Sequence, residues 1–490
     1  MRAKIALLLH MHQPDYRDPT TGEPIMPWVR LHAVRGYTDA PTLAMEAGAR
    51  ATLNVVPTLL DQLERYAAGG TDAWARLSKV PAEDLSEAER AFIRARFVHG
   101  HPTMRQVSDR YRQLEASVGS LYTPQDLRDL QVWSNLAWMG VVARRDPFVR
   151  GLLRQDRGYS HAQLLELMNV QEAIVAGVLP LWRKHGRISV TPYNHPILPL
   201  LVDFRHAHRC MPQLPDTVRF AFPDDARRQI TEGIDRAAAV LGARPRGMWP
   251  SEGSVSPEVA RLAAQAGLQW LATDQGVLER SDRDGPPDLR RAWRVEDTEL
   301  LMVFRDRGLS DRIGFQYATW DGEAAAQDLL RSVTGDGVLP IILDGENPWE
   351  SFPDAGQSFL RALYASGRVC DIDEGLPHMP TGHIRRLHTG SWINADFQIW
   401  AGDPMDRAGW RQLAALREAY EAAGRPEAAW PAIRAAEGSD WFWWYGPEHH
   451  SDMRDLFDLL FRHHLAAGWA ALGAPAPASL SRPIWEDTRG

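Results

Sequence analysis

Three short stretches combine residue types that do chemistry. The first, Leu9-His10-Met11-His12-Gln13-Pro14, closes an apolar run. Side chains two apart on a strand share a face, so His10 and His12 point the same way. Two imidazoles on one face bind a metal, or hydrogen-bond a sugar or a phosphate. The second stretch, Gly247-Met248-Trp249-Pro250-Ser251-Glu252-Gly253, places Glu252 in a tight turn after an apolar strand end. Trp249 offers it an apolar platform, which desolvates a carboxylate or stacks on a sugar face. In the third, the apolar run Leu339–Leu343 ends in Asp344 and Glu346, again two apart, before Asn347-Pro348-Trp349. Carboxylates between an apolar run and a tryptophan are costly unless they are paired or used.

Two further stretches mix aromatic rings with hydrogen-bonding side chains. They are Thr389–Pro404, with Trp392 and Asp396, and Ser439–His450, with Asp440 and Trp441. Rings that stack on sugar C–H faces beside groups that bind hydroxyls are what a carbohydrate site needs. The chain has 19 Trp, against 14 Phe and 11 Tyr. Those inside the polar motifs, Trp28, Trp249, Trp349, Trp392 and Trp441, are expected at the site. Trp133, Trp138, Trp182, Trp410 and most of the Trp443–Trp444 pair are expected to pack.

The elements that must hold these residues follow from short apolar runs alternating with amphipathic stretches. Runs that read as strands are Ile5–Leu9, Ala51–Val56, Ile188–Val190, Gly247–Trp249, Trp270–Ala272, Leu300–Phe304 and Leu339–Leu343. Helical patterns such as Pro57–Ala68, Pro223–Leu241 and Pro257–Gln265 lie between them. Strand–helix alternation predicts an α/β fold with a parallel sheet and its site at the carboxyl ends of the strands. Residues 71–185 read as an inserted helical subdomain. Residues 385–490 read as a C-terminal helical domain with helices at Met405–Ala423 and Ser451–Leu472 and a loose tail from Gly473.

Composition excludes other classes. A net charge of −8 argues against nucleic acid as a partner. Cys210 and Cys370, the only cysteines, rule out a disulfide scaffold and a cysteine-based metal domain. The apolar run Ile5–Leu9 is five residues long, short of the ~7–15 of a signal core. No run approaches the ~20 apolar residues of a membrane span, so a cytoplasmic protein with no membrane partner is expected.

In this order the motifs resemble those of glycoside hydrolase family 57. His10-Met11-His12-Gln13-Pro14 is similar to its first signature, and Met26–His32, with Trp28 and Arg30, to the segment that follows in its amylopullulanase-like branch. Thr191–Pro199, with His195, resembles the second. Trp249–Glu252 resembles the third, which carries the nucleophile, and Asp344–Asn347 the fourth, which carries the acid/base aspartate. Gly390–Ile393 and Trp400–Pro404 resemble the fifth. One departure stands out: Gly186-Arg187-Ile188-Ser189-Val190 has no carboxylate where the family often keeps a Glu.

The resemblance implies an incomplete (β/α)7 barrel over residues 1–384, followed by the helical domain. It also implies retaining chemistry on α-glucans, with no cofactor and no metal. Glu252 would be the nucleophile and Asp344 the acid/base. His10, His12, Gln13, Trp28, Arg30, His195, Trp249, Asp274, Arg305, Glu346, Trp349, Trp392, Asp396 and Trp441 would bind sugar. Hydrolysis of the α-amylase or amylopullulanase type is the primary expectation, and transfer by a 4-α-glucanotransferase or branching enzyme the alternative. A metal-dependent deacetylase or α-mannosidase-like enzyme, with zinc on His10, His12 and an acidic residue, is a third reading.

Overall fold

Seven apolar runs form parallel strands: β1 (Lys4–Met11), β2 (Thr52–Val55), β3 (Ile188–Val190), β4 (Gly247–Met248), β5 (Trp270–Asp274), β6 (Leu301–Arg305) and β7 (Val338–Asp344). The computed structural model describes residues 3–117 and 122–487. The strands are nearly fully buried, as parallel strands covered on both faces must be. Their order is β7-β1-β2-β3-β4-β5-β6. At the ends of this row Asp306 N donates to Pro340 O at 3.0 Å, which links β6 to β7 without a strand ladder.

Register decides what the sheet offers at its carboxyl end. β1 and β7 pair from Lys4↔Val338 to His10↔Asp344. On the other edge of β1, His10 pairs with Asn54, and Asn54 pairs in turn with Ser189. Residues in register on parallel strands point to the same side. Asp344, His10, Asn54 and Ser189 therefore form one polar row across four strands. Asp274 and Arg305 pair likewise at the ends of β5 and β6.

The sheet is mixed beyond this row. Ala292–Val295 runs antiparallel to β6 and parallel to Thr381–Arg386, which pairs antiparallel with Asp282–Arg283. Val369–Cys370 adds a short parallel partner to Ile5 and Ala6. None of these four strands was expected. Thr381–Arg386 buries only Ile384, so no apolar run announces it.

Helices Pro57–Ala67, Pro223–Leu241 and Pro257–Gln265 each begin with proline, whose missing N–H costs nothing in a first turn. Between β2 and β3 the chain is helical from Ala73–Lys79 to His161–His185, with 118–121 outside the described residues. By length and composition alone, His161–His185 reaches what a membrane crossing needs, which counting unbroken apolar runs did not anticipate. Leu164, Leu167, Met168, Gln171, Val175, Val178 and Trp182 make a buried stripe along it, as in a core helix.

Towards the C-terminus, Pro404–Ala422 and Arg454–Ala471 are the main helices. Trp410 stacks on Phe442 with ring centroids 4.7 Å apart. Arg417 forks onto buried Asp225 of Pro223–Leu241 at 2.5 and 2.9 Å. The tail is not loose, because Leu480 and Ile484 are buried and Ile484 N donates to Asp458. Residues 488–490 of that tail lie outside the described residues.

Candidate active site

The carboxyl ends of the strands open into a cavity of about 360 Å³. His10, His12, Gln13, Trp28, His195, Trp249, Glu252, Asp344, Glu346 and Trp392 all line it. These are ten of the residues singled out from sequence, gathered from positions up to 382 apart in the chain.

Glu252 sits in the left-handed backbone region at φ 57°, and so does His195 at φ 59°. Non-glycine residues are held there only where their surroundings over-determine them, which is common at functional sites. Here the determinants are visible. Trp392 N donates to Glu252 O at 3.0 Å, and Val255 and Gly390 exchange hydrogen bonds beside it. Gly253 is needed next, because its φ is +58° and a Cβ would stand 3.0 Å from the Trp249 ring. The Glu252 carboxylate accepts from Trp392 Nε1 at 3.1 Å and faces Ser439 Oγ at 3.2 Å. Trp249 meets Trp392 edge to face at 5.8 Å.

Electrostatics follow from burial. The Glu252 carboxyl is pushed well above its ordinary range by burial, then by the charges of Asp440 and Asp344, against the donors Ser439 and Trp392. Burial also raises Asp344, and Asn347, His12 and Arg305 oppose the rise. His10 is pushed down to about 3 by burial, and His195 falls well below its usual range for the same reason. Both imidazoles are thus neutral at pH 7. Glu346 is raised well above its usual range by burial. It accepts from Tyr37 Oη and, at 2.6 Å, from His12 N. It clamps the turn that carries His12.

His10 Nε2 lies 3.1 Å from His195 Nε2, and His12 stacks on His195 with centroids 3.7 Å apart. The ligand atoms of all three fall within 4.8 Å of one another. His10 Nε2 and His195 Nε2 face each other at hydrogen-bonding distance, so these two nitrogens are already engaged with one another. His12 Nε2 instead meets Asp440 Oδ1 at 2.8 Å. His12 Nδ1 and Asp440 Oδ2 make no hydrogen bond within the described protein. Both are ready to bind a polar ligand.

Six expected site residues stand elsewhere. Arg30 is buried on Asp72, Asn135 and Gln171. Trp28 and His32 share one face of their helix and reach the cavity, whereas Arg30, two residues on from Trp28, faces away. Asp274 and Arg305 pair at 3.2 Å behind the wall, and Arg305 stacks 5.2 Å over the far side of the Trp392 ring. Trp349 is buried and donates to Gly345 O, packing against Phe352 and Phe359. Trp441 is buried and donates to Ala435 O. Asp396 accepts from Gln398 N in its own loop.

The cavity also has members that sequence reasoning assigned to packing or passed over. Trp138, Trp443 and Trp444 line it, as do Tyr16, His32, Asn347, Glu350 and Asp440. Glu350 is pushed up to about 7 by burial. Asp440 was legible as a carboxylate flanked by aromatics, but nothing local aimed it at His12.

The family model of glycosyl hydrolase family 57 matches residues 6–394. No curated protein sequence matches the chain. The fold resembles a branching enzyme of Thermococcus kodakaraensis, at 14% identity and TM-score 0.61 over 100% of this chain and 94% of that one. It also resembles an α-amylase of Thermotoga maritima, at 13% identity and TM-score 0.52 over 96% and 93%. A 4-α-glucanotransferase of Thermococcus litoralis gives 14% identity and TM-score 0.54 over 96% of this chain and 60% of that one. At such identities the likeness speaks for the fold. The match to the family model runs over most of the 490 residues, and the chain belongs to glycosyl hydrolase family 57.

Proposed function

We propose that the protein is a retaining enzyme of α-glucans, with Glu252 as nucleophile and Asp344 as acid/base. The observation that carries the reading is one aromatic-lined cavity that holds both carboxyls. In the first step the Glu252 carboxylate attacks the anomeric carbon while Asp344 gives its proton to the leaving oxygen. In the second, the Asp344 carboxylate takes a proton from water as it attacks the glycosyl-enzyme. The pair must therefore hold one proton between them. Ser439 and Trp392 favour charge on Glu252 by pointing donors at it. His12 Nδ1 and Asp440 Oδ2 bind hydroxyls of the sugar being transferred, whereas both ring nitrogens of His10 are taken by Asn54 and His195.

Hydrolysis is the primary reading. Transfer to a second sugar is favoured by one feature, the aromatic residues Trp138, Trp443 and Trp444 in the cavity wall, an apolar lining that suits an acceptor sugar better than water. Products longer than maltoheptaose from maltoheptaose mean transfer, and only shorter ones mean hydrolysis. We read residues 1–384 as an incomplete seven-stranded barrel with the helices of 71–185 inserted, and 385–490 as a helical domain that completes the cleft.

Replacing Glu252 by Gln tests the core of the proposal. The expected outcome is a loss of turnover by several orders of magnitude with glucan binding retained. Unchanged turnover refutes the assignment.

A further inference from the structure

Glu252 ends a hydrogen-bond chain that crosses the sheet through buried residues. Thr191 Oγ1 lies 2.7 Å from Asn54 Oδ1 and 2.9 Å from Trp249 O. Asn54 Oδ1 lies 2.6 Å from His10 Nδ1, and Asn54 Nδ2 lies 3.0 Å from Ser189 Oγ. His10 Nε2 meets His195 Nε2 at 3.1 Å, and His195 Nδ1 meets Ser439 Oγ at 2.9 Å. Ser439 Oγ then reaches Glu252 Oε1 at 3.2 Å. Asn54, Ser189, Thr191 and Ser439 are all fully buried.

Hydrogen counting restricts this chain. A neutral imidazole has one N–H and one bare nitrogen, and a hydroxyl has one hydrogen to give. With Asn54 Oδ1 facing His10, His10 carries its hydrogen on Nδ1 and leaves Nε2 bare. His195 must then be protonated on Nε2, so its bare Nδ1 accepts from Ser439. Ser439 has nothing left to give Glu252, and can only accept from a protonated Glu252. The reverse pattern is equally complete. An ionised Glu252 takes the Ser439 hydrogen, His195 donates from Nδ1, His10 donates from Nε2, and Asn54 turns its amide NH2 toward His10. Ser189 then donates to Asn54 Oδ1 and Thr191 to Trp249 O. Every contact from Asn54 through His10, His195 and Ser439 to Glu252 has one donor and one acceptor in both patterns, and a mixture sets two lone pairs or two hydrogens face to face.

We propose that the charge on Glu252 selects the direction of this whole chain, so that Asn54, in register two strands from Asp344, is a positioning residue for the nucleophile. No covalent bond changes. Going from the first pattern to the second, the enzyme loses the Glu252 proton to cavity water. Each imidazole keeps one hydrogen but carries it on its other nitrogen, by exchange with the same water. The inference rests on Glu252 being the nucleophile. The other groups around Glu252 are Asp344, Asp440, His195 and Trp392, with Arg305 behind the Trp392 ring.

Nitrogen-15 spectra of histidine-labelled wild-type protein test this directly. Across the ionisation of Glu252, His10 should change from Nδ1–H to Nε2–H while His195 changes from Nε2–H to Nδ1–H. Tautomers that stay fixed overturn the proposal. An ionised aspartate can only accept, so Asn54→Asp should hold the first pattern wherever that carboxyl is charged. It should move the acid limb of kcat/KM upward by about one pH unit, the scale of one lost charge-assisted hydrogen bond. Ser439→Ala should give the same shift, Ser439→Thr none, and the double variant no more than either single one. Additive shifts also overturn it. The wild-type spectra decide the matter even if Asn54→Asp fails to fold. Labelling of Glu252 by a slow glycosyl donor, read by mass spectrometry, tests the nucleophile assignment separately.

Discussion

Asp440 shows how much a site can owe to one residue outside its sequence motifs. It stands against His12 at 2.8 Å, and its charge is the largest that raises the Glu252 carboxyl. Asp440→Asn removes a like charge, so the Glu252 pKa should fall. As the proposed nucleophile, Glu252 must be ionised, so the acid limb of kcat/KM should move to lower pH by up to about one unit, the scale of a like charge at a few ångströms. A pH–rate profile of the variant checks this, and a limb that moves upward contradicts the direction. Stacking makes a second prediction. Trp443→Ala removes a ring from the cavity wall, so KM for maltoheptaose should rise about tenfold, the scale of an aromatic contact of ~1.5 kcal/mol. Thermal stability should change little, since Trp443 is only half-buried. Among the residues, tryptophan was the hardest to sort. Periodicity marks the apolar face of a helix but does not say whether that face meets the core or a cavity. Hence Trp441, expected at the site, is buried, and Trp443 and Trp444 are the ones exposed to it.

At the scale of elements, the turn after β4 does the most to aim chemistry. Gly253→Ala forces a Cβ into the left-handed region and against Trp249. A cost of about 1–2 kcal/mol is expected in unfolding free energy. Because Glu252 precedes it, kcat should fall more than KM changes. Denaturant titration and steady-state kinetics read the two separately. The seven parallel strands were legible, since each is a short apolar run and several end in polar residues, and so were helices Pro223–Leu241 and Pro257–Gln265 to the residue. What could not be read was register. Asn54 is one polar residue between Leu53 and Val55 and carries no motif. Its importance comes from pairing with His10, a contact 44 residues away in sequence. Arg30 failed for the opposite reason. Its motif was recognised, but a motif on a helix spreads its residues around the axis, and only Trp28 and His32 reach the cavity.

At the scale of the whole molecule, the C-terminal helices are tied to the sheet layer by a buried ion pair. Arg417 and Asp225 are each almost fully buried, and Glu437, pushed well above its usual range by burial and by Asp225, lies against them. Arg417→Met leaves Asp225 buried beside a second carboxyl. It should cost about 3–5 kcal/mol, and Asp225→Asn in the same chain should restore part of it. Calorimetric or denaturant unfolding of the single and double variants decides this. A single variant as stable as the parent would show that the pair does not fasten the two regions.

The match to the family model stops at residue 394, yet Ser439 touches Glu252, and Asp440, Trp443, Trp444, Met453 and Phe457 line the same cavity. The lining of the one cavity that holds Glu252 and Asp344 is thus encoded in separate stretches of one gene. On the proposed reading, changes in the last hundred codons alter the lining of the cavity while Glu252 and Asp344 stay where they are. On the same proposed reading, grafting a foreign terminal segment onto residues up to the boundary varies specificity without rebuilding the proposed catalytic pair.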